Sequence, residues 1–127
     1  MLECLVSGDQ IGFGGDDKAG DQVLRVLGNF LSSGVRQGDV VCRYGGEEFL
    51  IIMPRVHILD AEHRANSLCV NFSQTPIVYE NVTLHATISI GVAIYPKHGE
   101  TPDEIIKAAD SAMYQAKQAG RNTVRVK

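Results

Sequence analysis

Residues 43–53 read Arg-Tyr-Gly-Gly-Glu-Glu-Phe-Leu-Ile-Ile-Met, and this stretch decides the fold. Two short apolar runs flank an acidic, glycine-rich tip, which predicts a β-hairpin. At the tip, Gly45 and Gly46 free the backbone and let a bulky ligand approach the main chain. Glu47 and Glu48 add hard oxygen ligands of the kind that bind divalent cations. Such a tip suits a nucleoside triphosphate that carries Mg²⁺, although in isolation the same letters are more often a solvated surface turn.

The composition is that of one small globular domain. The chain has 127 residues, of which 44% are hydrophobic, enough for a single core and too few for two domains. Its formal net charge is -3, so the chain lacks the positive electrostatic potential that attracts a nucleic-acid backbone. DNA and RNA are therefore not expected partners. The three cysteines are odd in number and lack CxxC spacing, which predicts reduced thiols and a cytoplasmic setting. No apolar run reaches the length of a membrane span, so no membrane contact is expected within this chain.

Hydrophobic periodicity predicts three helices around the hairpin. The first runs from about residue 21 to residues 32–34, and the second covers residues 60–72. The third opens at Thr101, an N-cap followed by proline and a capping-box glutamate, and ends at Gly120.

Period-two alternation and β-branched residues predict the strands, and glycine and polar clusters predict the turns. The predicted strands are residues 40–44, 49–53, 77–79, 84–95 and 123–126. A turn is expected at Glu80-Asn81, a short strand at residues 2–6, and loop at residues 7–9 and 12–15. Helices interleaved with hairpins indicate an α+β fold, with helices wrapping a central mixed, mainly antiparallel sheet.

Four segments of the chain resemble the GGDEF family, the diguanylate cyclases that condense two GTP into cyclic di-GMP. They read AGDQVL (19–24), RYGGEEF (43–49), TISIGVA (87–93) and ADSAMYQAKQAGRN (109–122), in the family's order and spacing. The resemblance covers about residues 19–127, which would form the GGDEF-type domain, with residues 1–18 as a divergent N-terminal segment. It implies a fold similar to the palm of nucleotide cyclases and polymerases, with the first strand in mid-sheet beside the signature hairpin.

The resemblance implies a Mg²⁺-GTP site at the hairpin tip. Glu47, the third residue of the signature, becomes the expected metal ligand. Glu48 is expected to assist metal binding or to accept the proton of the attacking 3′-hydroxyl. The main chain at Gly45 and Gly46 would lie close to the nucleotide.

Three further side chains are expected to bind the substrate. Asp21 would accept hydrogen bonds from the guanine N1 and N2 groups, although it could equally be the N-cap of the following helix. Lys117 and Arg121 would meet the terminal phosphates, and their alternative role is a cationic helix C-terminus.

Upstream of the first matching segment the resemblance fails. Counted back without gaps from the first match, the family's Asp-x-Asp, whose first aspartate binds metal, falls on Cys4 and Val6. The family's Asn-Asp pair, whose asparagine helps to read guanine, falls on Gly12 and Phe13. Because neither pair keeps its chemistry, weak or lost GTP turnover is expected.

An Arg-x-x-Asp pair upstream of the hairpin resembles the family's inhibitory product site. Arg36 would fork onto O6 and N7 of a guanine in cyclic di-GMP, and Asp39 would accept its N1 and N2 hydrogens. The family often supplies a further arginine from the second helix, where the aligned position here is Cys69. His63 or Arg64 could substitute for it.

Two functions therefore compete. In the first, two copies face each other as a homodimer and each presents a Mg²⁺-GTP to the other. In the second, the chain is a degenerate signalling module that binds cyclic di-GMP at Arg36 and Asp39 and transmits that occupancy without turnover. The chain is expected to be mostly monomeric at low concentration and to dimerise when ligand bridges two copies. An altered start of an otherwise ordinary cyclase is a third possibility.

Overall fold

The computed structural model describes residues 2–9 and 17–127 as one α+β unit. Its elements are β1 (Leu2–Asp9), α1 (Asp17–Gly34), β2 (Val40–Arg43), β3 (Glu48–Met53), α2 (Ile58–Ser73), β4 (Ile77–Tyr79), β5 (Val82–Leu84), β6 (Thr87–Ile94), α3 (Pro102–Gln118) and β7 (Val124–Val126). No helix within these described residues is long and apolar enough to cross a membrane.

The main sheet has five strands in the order β2-β3-β1-β6-β7. All neighbours are antiparallel except β6 and β7, which run parallel. The predicted fold class is therefore confirmed, and β1 lies in mid-sheet between the hairpin strand β3 and β6. Strands β4 and β5 form a separate hairpin, whose predicted turn is confirmed by Glu80 and Asn81 at φ 48° and 65°.

The sheet buries apolar side chains on both faces. Alternate residues of β1 point to opposite sides, so Val6 joins the core beneath α1 and α2, whereas Leu5 joins the core beneath α3. Among the described residues, the largest fully buried side chain is Phe72 of α2, which packs against Phe30 of α1 with ring centroids 5.2 Å apart. This packing joins α1 to α2 on one face of the sheet.

Helix α3 lies close against the sheet at Gly91 of β6. A Cβ atom at Gly91 would lie 2.0 Å from the carbonyl oxygen of Ala109 and 2.3 Å from the backbone nitrogen of Met113. The predicted N-cap is confirmed, since the hydroxyl of Thr101 accepts a hydrogen bond from the Glu104 amide at 3.2 Å. Gly91 therefore allows the short distance between α3 and the sheet. The Thr101 cap determines where α3 begins.

Two strand predictions were wrong. The single strand expected over residues 84–95 is two strands, because Leu84 pairs with Ile77 in the small hairpin and β6 begins only at Thr87. The loop expected at residues 7–9 is strand, because β1 remains paired with β6 as far as Asp9 opposite Thr87. The loop expected at residues 12–15, with the Gly12 and Phe13 positions, lies outside the described residues.

All three cysteines are free thiols, and their exposure predicts unequal reactivity. Cys42 is exposed on the edge strand β2, whereas Cys4 and Cys69 are buried. Burial, aided by the charge of Asp9, raises the pKa of Cys69 to about 12, so its reactive thiolate is scarce. We expect one thiol per chain to react rapidly with a disulfide reagent in the native protein, and all three after denaturation.

The measurement is a time course of thiol release under native conditions. In the control variant Cys42→Ser the rapid phase should disappear. Rapid reaction of two or more thiols in the folded protein would contradict the burial of Cys4 and Cys69.

Candidate functional site

The hairpin between β2 and β3 closes around a compact acidic tip. The amides of Tyr44 and Gly45 both donate to the carbonyl of Glu48, at 2.8 and 3.2 Å. The Arg43 guanidinium donates to the carbonyls of Gly45 and Gly46 from the side. These bonds pair the amides of Tyr44 and Gly45 and the carbonyls of Gly45 and Gly46.

The two acidic side chains of the tip differ in environment. Glu47 is exposed, whereas Glu48 is half-buried. A Cβ atom at Gly45 would lie 3.6 Å from Glu48 Oε2, so the Glu48 carboxylate lies alongside this glycine. Glu47 is therefore the more accessible candidate ligand.

The end of β1, rather than its middle, lies beside the hairpin tip. The amide of Gly8 donates to the carbonyl of Glu47 at 3.0 Å. Cys4 instead pairs with Ile51, and it is buried in the core together with Val6. The ungapped count from the first matching segment was therefore wrong about which β1 residues adjoin the tip, because the length of the connection between β1 and α1 is not fixed by the fold.

A groove runs from the hairpin tip along α1. Gly45, Gly46 and the two glutamates line its first part together with Leu24, in a cavity of about 480 Å³. That volume is within the range of small-ligand sites. The predicted glycines therefore border a cavity of suitable size for a nucleotide.

The groove continues past Leu24 to Asp21. Leu24 also borders an adjoining depression lined by Asp21, Arg25 and Arg43. Asp21 is exposed in the second turn of a helix that begins at Asp17, so its alternative role as N-cap was wrong. Asp21 therefore lines a depression that adjoins the cavity at the hairpin tip and shares Leu24 with it.

The other two predicted substrate residues lie at the end of α3. Lys117 is in the last turn of the helix, as the predicted cationic C-terminus requires. Arg121 Nη1 lies 3.7 Å from Asp9 Oδ1, and the Arg121 side chain is 46% exposed. Because Asp9 follows Gly8, which bonds to Glu47, Arg121 and the hairpin tip adjoin the same end of β1.

Asp9 is a buried acidic residue that sequence reasoning missed. Its side chain has no exposed surface, and it accepts hydrogen bonds from the hydroxyls of Thr87 at 2.8 Å and Ser89 at 2.9 Å. The amide of Asn122 donates to it at 3.1 Å. A signal existed in the sequence, since Thr87 and Ser89 are polar residues on one face of an otherwise apolar strand.

The Arg-x-x-Asp pair lies in a tight turn before β2. Asp39 Oδ2 accepts a hydrogen bond from the Arg36 amide at 3.0 Å, and the Arg36 side chain is exposed. Arg64 of α2 forms an ion pair with the same carboxylate and donates to Met53 Sδ at 3.5 Å. Of the two alternatives that the sequence left open, Arg64 is the one in contact with Asp39. Cys69 is instead buried and donates to the carbonyl of Ile88.

The donor atoms at the tip fit a divalent cation that arrives with a nucleotide. Among residues 2–9 and 17–127, no group of three or more His, Cys, Asp or Glu side chains is placed to hold a metal ion. A cation such as Mg²⁺ commonly takes one or two carboxylates and completes its shell with phosphate oxygens and water. Glu47 and Glu48 match that need.

Comparison with known proteins gives a family match over most of the chain. The family model described as "Diguanylate cyclase, GGDEF domain" matches residues 12–123. The response regulator PleD of Caulobacter vibrioides is 44% identical over 107 residues, which is 83% of this chain and 24% of PleD. The chain thus spans about a quarter of the length of that relative.

Solved structures show the same architecture. The GGDEF domain of PA1120 (YfiN or TpbB) from Pseudomonas aeruginosa superposes with a TM-score of 0.93 at 28% identity, covering 98% of this chain and 80% of that one. The GGDEF domain of DgcB from Caulobacter crescentus in complex with c-di-GMP gives a TM-score of 0.88 at 27% identity, covering 98% and 76%. Both structures carry a GGDEF domain.

Proposed function

Because the chain belongs to the GGDEF family of diguanylate cyclase domains, we propose that it binds Mg²⁺-GTP in the groove between α1 and the hairpin tip. The observation that supports this best is a pair of adjoining depressions that share Leu24, one lined by the signature glycines and the other by Asp21. The reaction proposed is condensation of two GTP into cyclic di-GMP with release of pyrophosphate. We also propose a cytoplasmic location and a GGDEF-type domain over residues 19–127.

Each residue of the groove has a distinct role in this proposal. Asp21 accepts hydrogen bonds from the guanine N1 and N2 groups, an edge that adenine does not offer. Arg121 and Lys117 hold the terminal phosphates. When bound at Glu47 and Glu48, Mg²⁺ would neutralise triphosphate charge and orient the phosphates.

Catalysis in this proposal requires two copies of the chain. One groove holds one GTP, so each 3′-hydroxyl must attack the α-phosphate presented by the other copy. Glu48 is the residue proposed to accept the proton of that hydroxyl. The two copies therefore form a homodimer in which the two bound nucleotides face each other.

We expect turnover by this chain to be weak. The end of β1 contributes Ser7 and Gly8 beside the tip, and the nearby Asp9 carboxylate is already held by its hydrogen bonds. Metal binding would rest on Glu47 and Glu48, which leaves few carboxylate oxygens for each ion. Incubating the protein with GTP and Mg²⁺ should give slow formation of cyclic di-GMP, with a rate per chain that rises with protein concentration.

The variant Glu47→Ala should abolish this formation, and Glu100→Ala, which removes an exposed glutamate outside the groove, should not. Rapid synthesis lost in Glu47→Ala would contradict the expectation of weak turnover. Synthesis that is insensitive to Glu47→Ala would contradict the proposed site.

A second candidate function is a binding module for cyclic di-GMP. It is favoured by the cluster of Arg36, Asp39 and Arg64, which lies in the turn before β2 and on α2 and does not depend on the altered end of β1. In this proposal the dinucleotide occupies the cluster whether or not GTP turns over. The DgcB domain was solved in complex with c-di-GMP, which supports the choice of ligand.

A further inference from the structure

We propose that Asp9 is a positioning residue that holds the Arg121 guanidinium toward the phosphate end of the groove. The inference rests on the proposed function in one respect, namely that Arg121 binds phosphate. Asp9 itself would not touch the nucleotide. It would act by fixing the turn after α3 to the end of β1, next to the hairpin tip.

The hydrogen bonds of Asp9 leave one side of its carboxylate directed toward Arg121. Oδ2 accepts from Thr87 Oγ1 at 2.8 Å, from Ser89 Oγ at 3.0 Å and from the Asn122 amide at 3.1 Å. Oδ1 accepts from Ser89 Oγ at 2.9 Å and lies 3.7 Å from Arg121 Nη1. A buried carboxylate with this many donors is fixed in orientation, so it is a rigid partner for the arginine.

The turn that carries Arg121 needs such a partner. Gly120, Arg121 and Asn122 have φ values of 111°, 65° and 48°, so three consecutive residues lie in the left-handed region. Side chains other than glycine rarely adopt this conformation unless the surroundings impose it. The Arg121 amide bonds to the Ala116 carbonyl at 3.1 Å, and the bond from the Asn122 backbone amide to Asp9 links this turn to the end of β1.

The partial exposure of Arg121 suits a side chain that contacts Asp9 on one side and is accessible to a ligand on the other. Its side chain is 46% exposed while its partner carboxylate is fully buried. A guanidinium has five N–H donors in a planar fork, so contact with Asp9 uses one part of it and leaves other donors for phosphate oxygens. Asp9 thus limits the rotamers of Arg121 without blocking its binding face.

The sign of the expected effect separates positioning from simple electrostatics. Removing a negative charge near a phosphate site should strengthen anion binding if charge alone matters. If Asp9 acts by orienting Arg121, its removal should weaken binding instead. The two explanations therefore predict opposite changes for the same substitution.

The test compares the full chain with Asp9→Asn by calorimetry with GTP and with GMP in Mg²⁺ buffer. We expect GTP affinity to fall about tenfold, because one charge-assisted phosphate contact loses its geometry. GMP affinity should change by less than about twofold, since GMP lacks the terminal phosphates. Arg121→Ala should show the same selective loss, and the double variant should bind GTP no more weakly than Arg121→Ala alone. Asp60→Asn, an equal charge change at an exposed site on α2, should leave GTP affinity unaltered.

A second measurement does not depend on nucleotide binding. ¹⁵N relaxation of the Arg121 Nε–H group should report an ordered guanidinium in the wild type and a mobile one in Asp9→Asn. Equal order in both proteins, or a gain in GTP affinity in Asp9→Asn, would overturn the inference.

If Asp9→Asn does not fold, relaxation of the wild-type protein alone tests the inference. An Arg121 side chain as mobile as that of the exposed Arg55 would overturn the inference, and a more ordered Arg121 side chain would support it. If the wild type shows no preference for GTP over GMP, the phosphate role of Arg121 fails, and the relaxation data still decide its positioning by Asp9.

Discussion

Replacing Gly91 with alanine is expected to lower the free energy of unfolding by about 3 kcal/mol or more. The added methyl group would lie 2.0 Å from the Ala109 carbonyl oxygen and 2.3 Å from the Met113 nitrogen. Both are backbone atoms of α3, so no side chain can rotate away, and the whole helix must move off β6. The measurement is urea unfolding of wild type and variant, with the change read from the midpoint at an unchanged slope.

Gly46→Ala is the matched control for stability. A Cβ atom at Gly46 would have no heavy atom within 4 Å, so unfolding should occur at nearly the same urea concentration as in the wild type. If Gly91→Ala were as stable as this control, the close approach of α3 to β6 would be incorrect. Because α3 also carries Lys117, a folded Gly91→Ala protein should bind GTP more weakly.

Removing Arg36 is expected to weaken binding of cyclic di-GMP by about 1–3 kcal/mol, or roughly one to two decades in Kd. The exposed Arg36 side chain would lose a bidentate contact to guanine O6 and N7. Asp39→Ala should weaken binding as well, and it should relax discrimination against the inosine analogue, which lacks the N2 group. Calorimetry on both single variants and the double variant tests whether the two residues couple through one base.

Arg64 adds a further element to this cycle. It engages Asp39 Oδ2, and Oδ1 takes no hydrogen bond from the described residues, although the Asp39 side chain is only 6% exposed. Arg64→Ala should therefore also weaken cyclic di-GMP binding, by freeing the orientation of the Asp39 carboxylate. Arg125→Ala, which removes an exposed arginine of β7, is the control and should bind normally. Unchanged affinity in Arg36→Ala, in a protein that otherwise binds the dinucleotide, would move the site to the groove around Asp21.

Local sequence signals predicted most of the fold. Helical periodicity with defined ends placed three helices, and Thr101 with Glu104 identified the start of α3. The turn at Glu80-Asn81 was predictable because strand-like runs flank it and asparagine is favoured where a type I′ hairpin turn needs positive φ. These features depend on residues close together in the chain, where propensity and pattern are informative.

The pairing register of the strands was harder to predict, because it depends on strands that are far apart in the sequence. The ungapped count put the two positions of the family's Asp-x-Asp at Cys4 and Val6, whereas pairing with β3 and β6 puts both residues in mid-strand. The polar residues 7–9 looked like loop, yet strands on both sides satisfy their backbone groups. Similarly, the break between Leu84 and Thr87 reflects a change of sheet that strand propensity does not encode.

The site was predicted in part for the same reason. Asp21 and the hairpin glycines belong to contiguous motifs, and they line two adjoining depressions that share Leu24. Asp9 was missed because its partners Thr87 and Ser89 are far away in sequence. The contact between Arg64 and Asp39 could not be predicted without knowing which face of α2 lies toward the turn before β2. Only tertiary packing determines that orientation.

The central position of β1 has a consequence for how the chain folds. The first strand in sequence pairs with β3 around residue 50 and with β6 around residue 90, for example Leu5 with Leu50 and with Gly91. Contacts between such distant residues form only after large loops close, and closing these loops costs chain entropy before the contacts stabilise the fold. Folding should therefore be slow for a domain of this size. During synthesis from the N-terminus, β1 must wait for both partners, and β3 keeps an open edge until β1 inserts. That open edge makes the nascent chain susceptible to pairing with other chains, so aggregation before the insertion of β1 is the expected failure in folding.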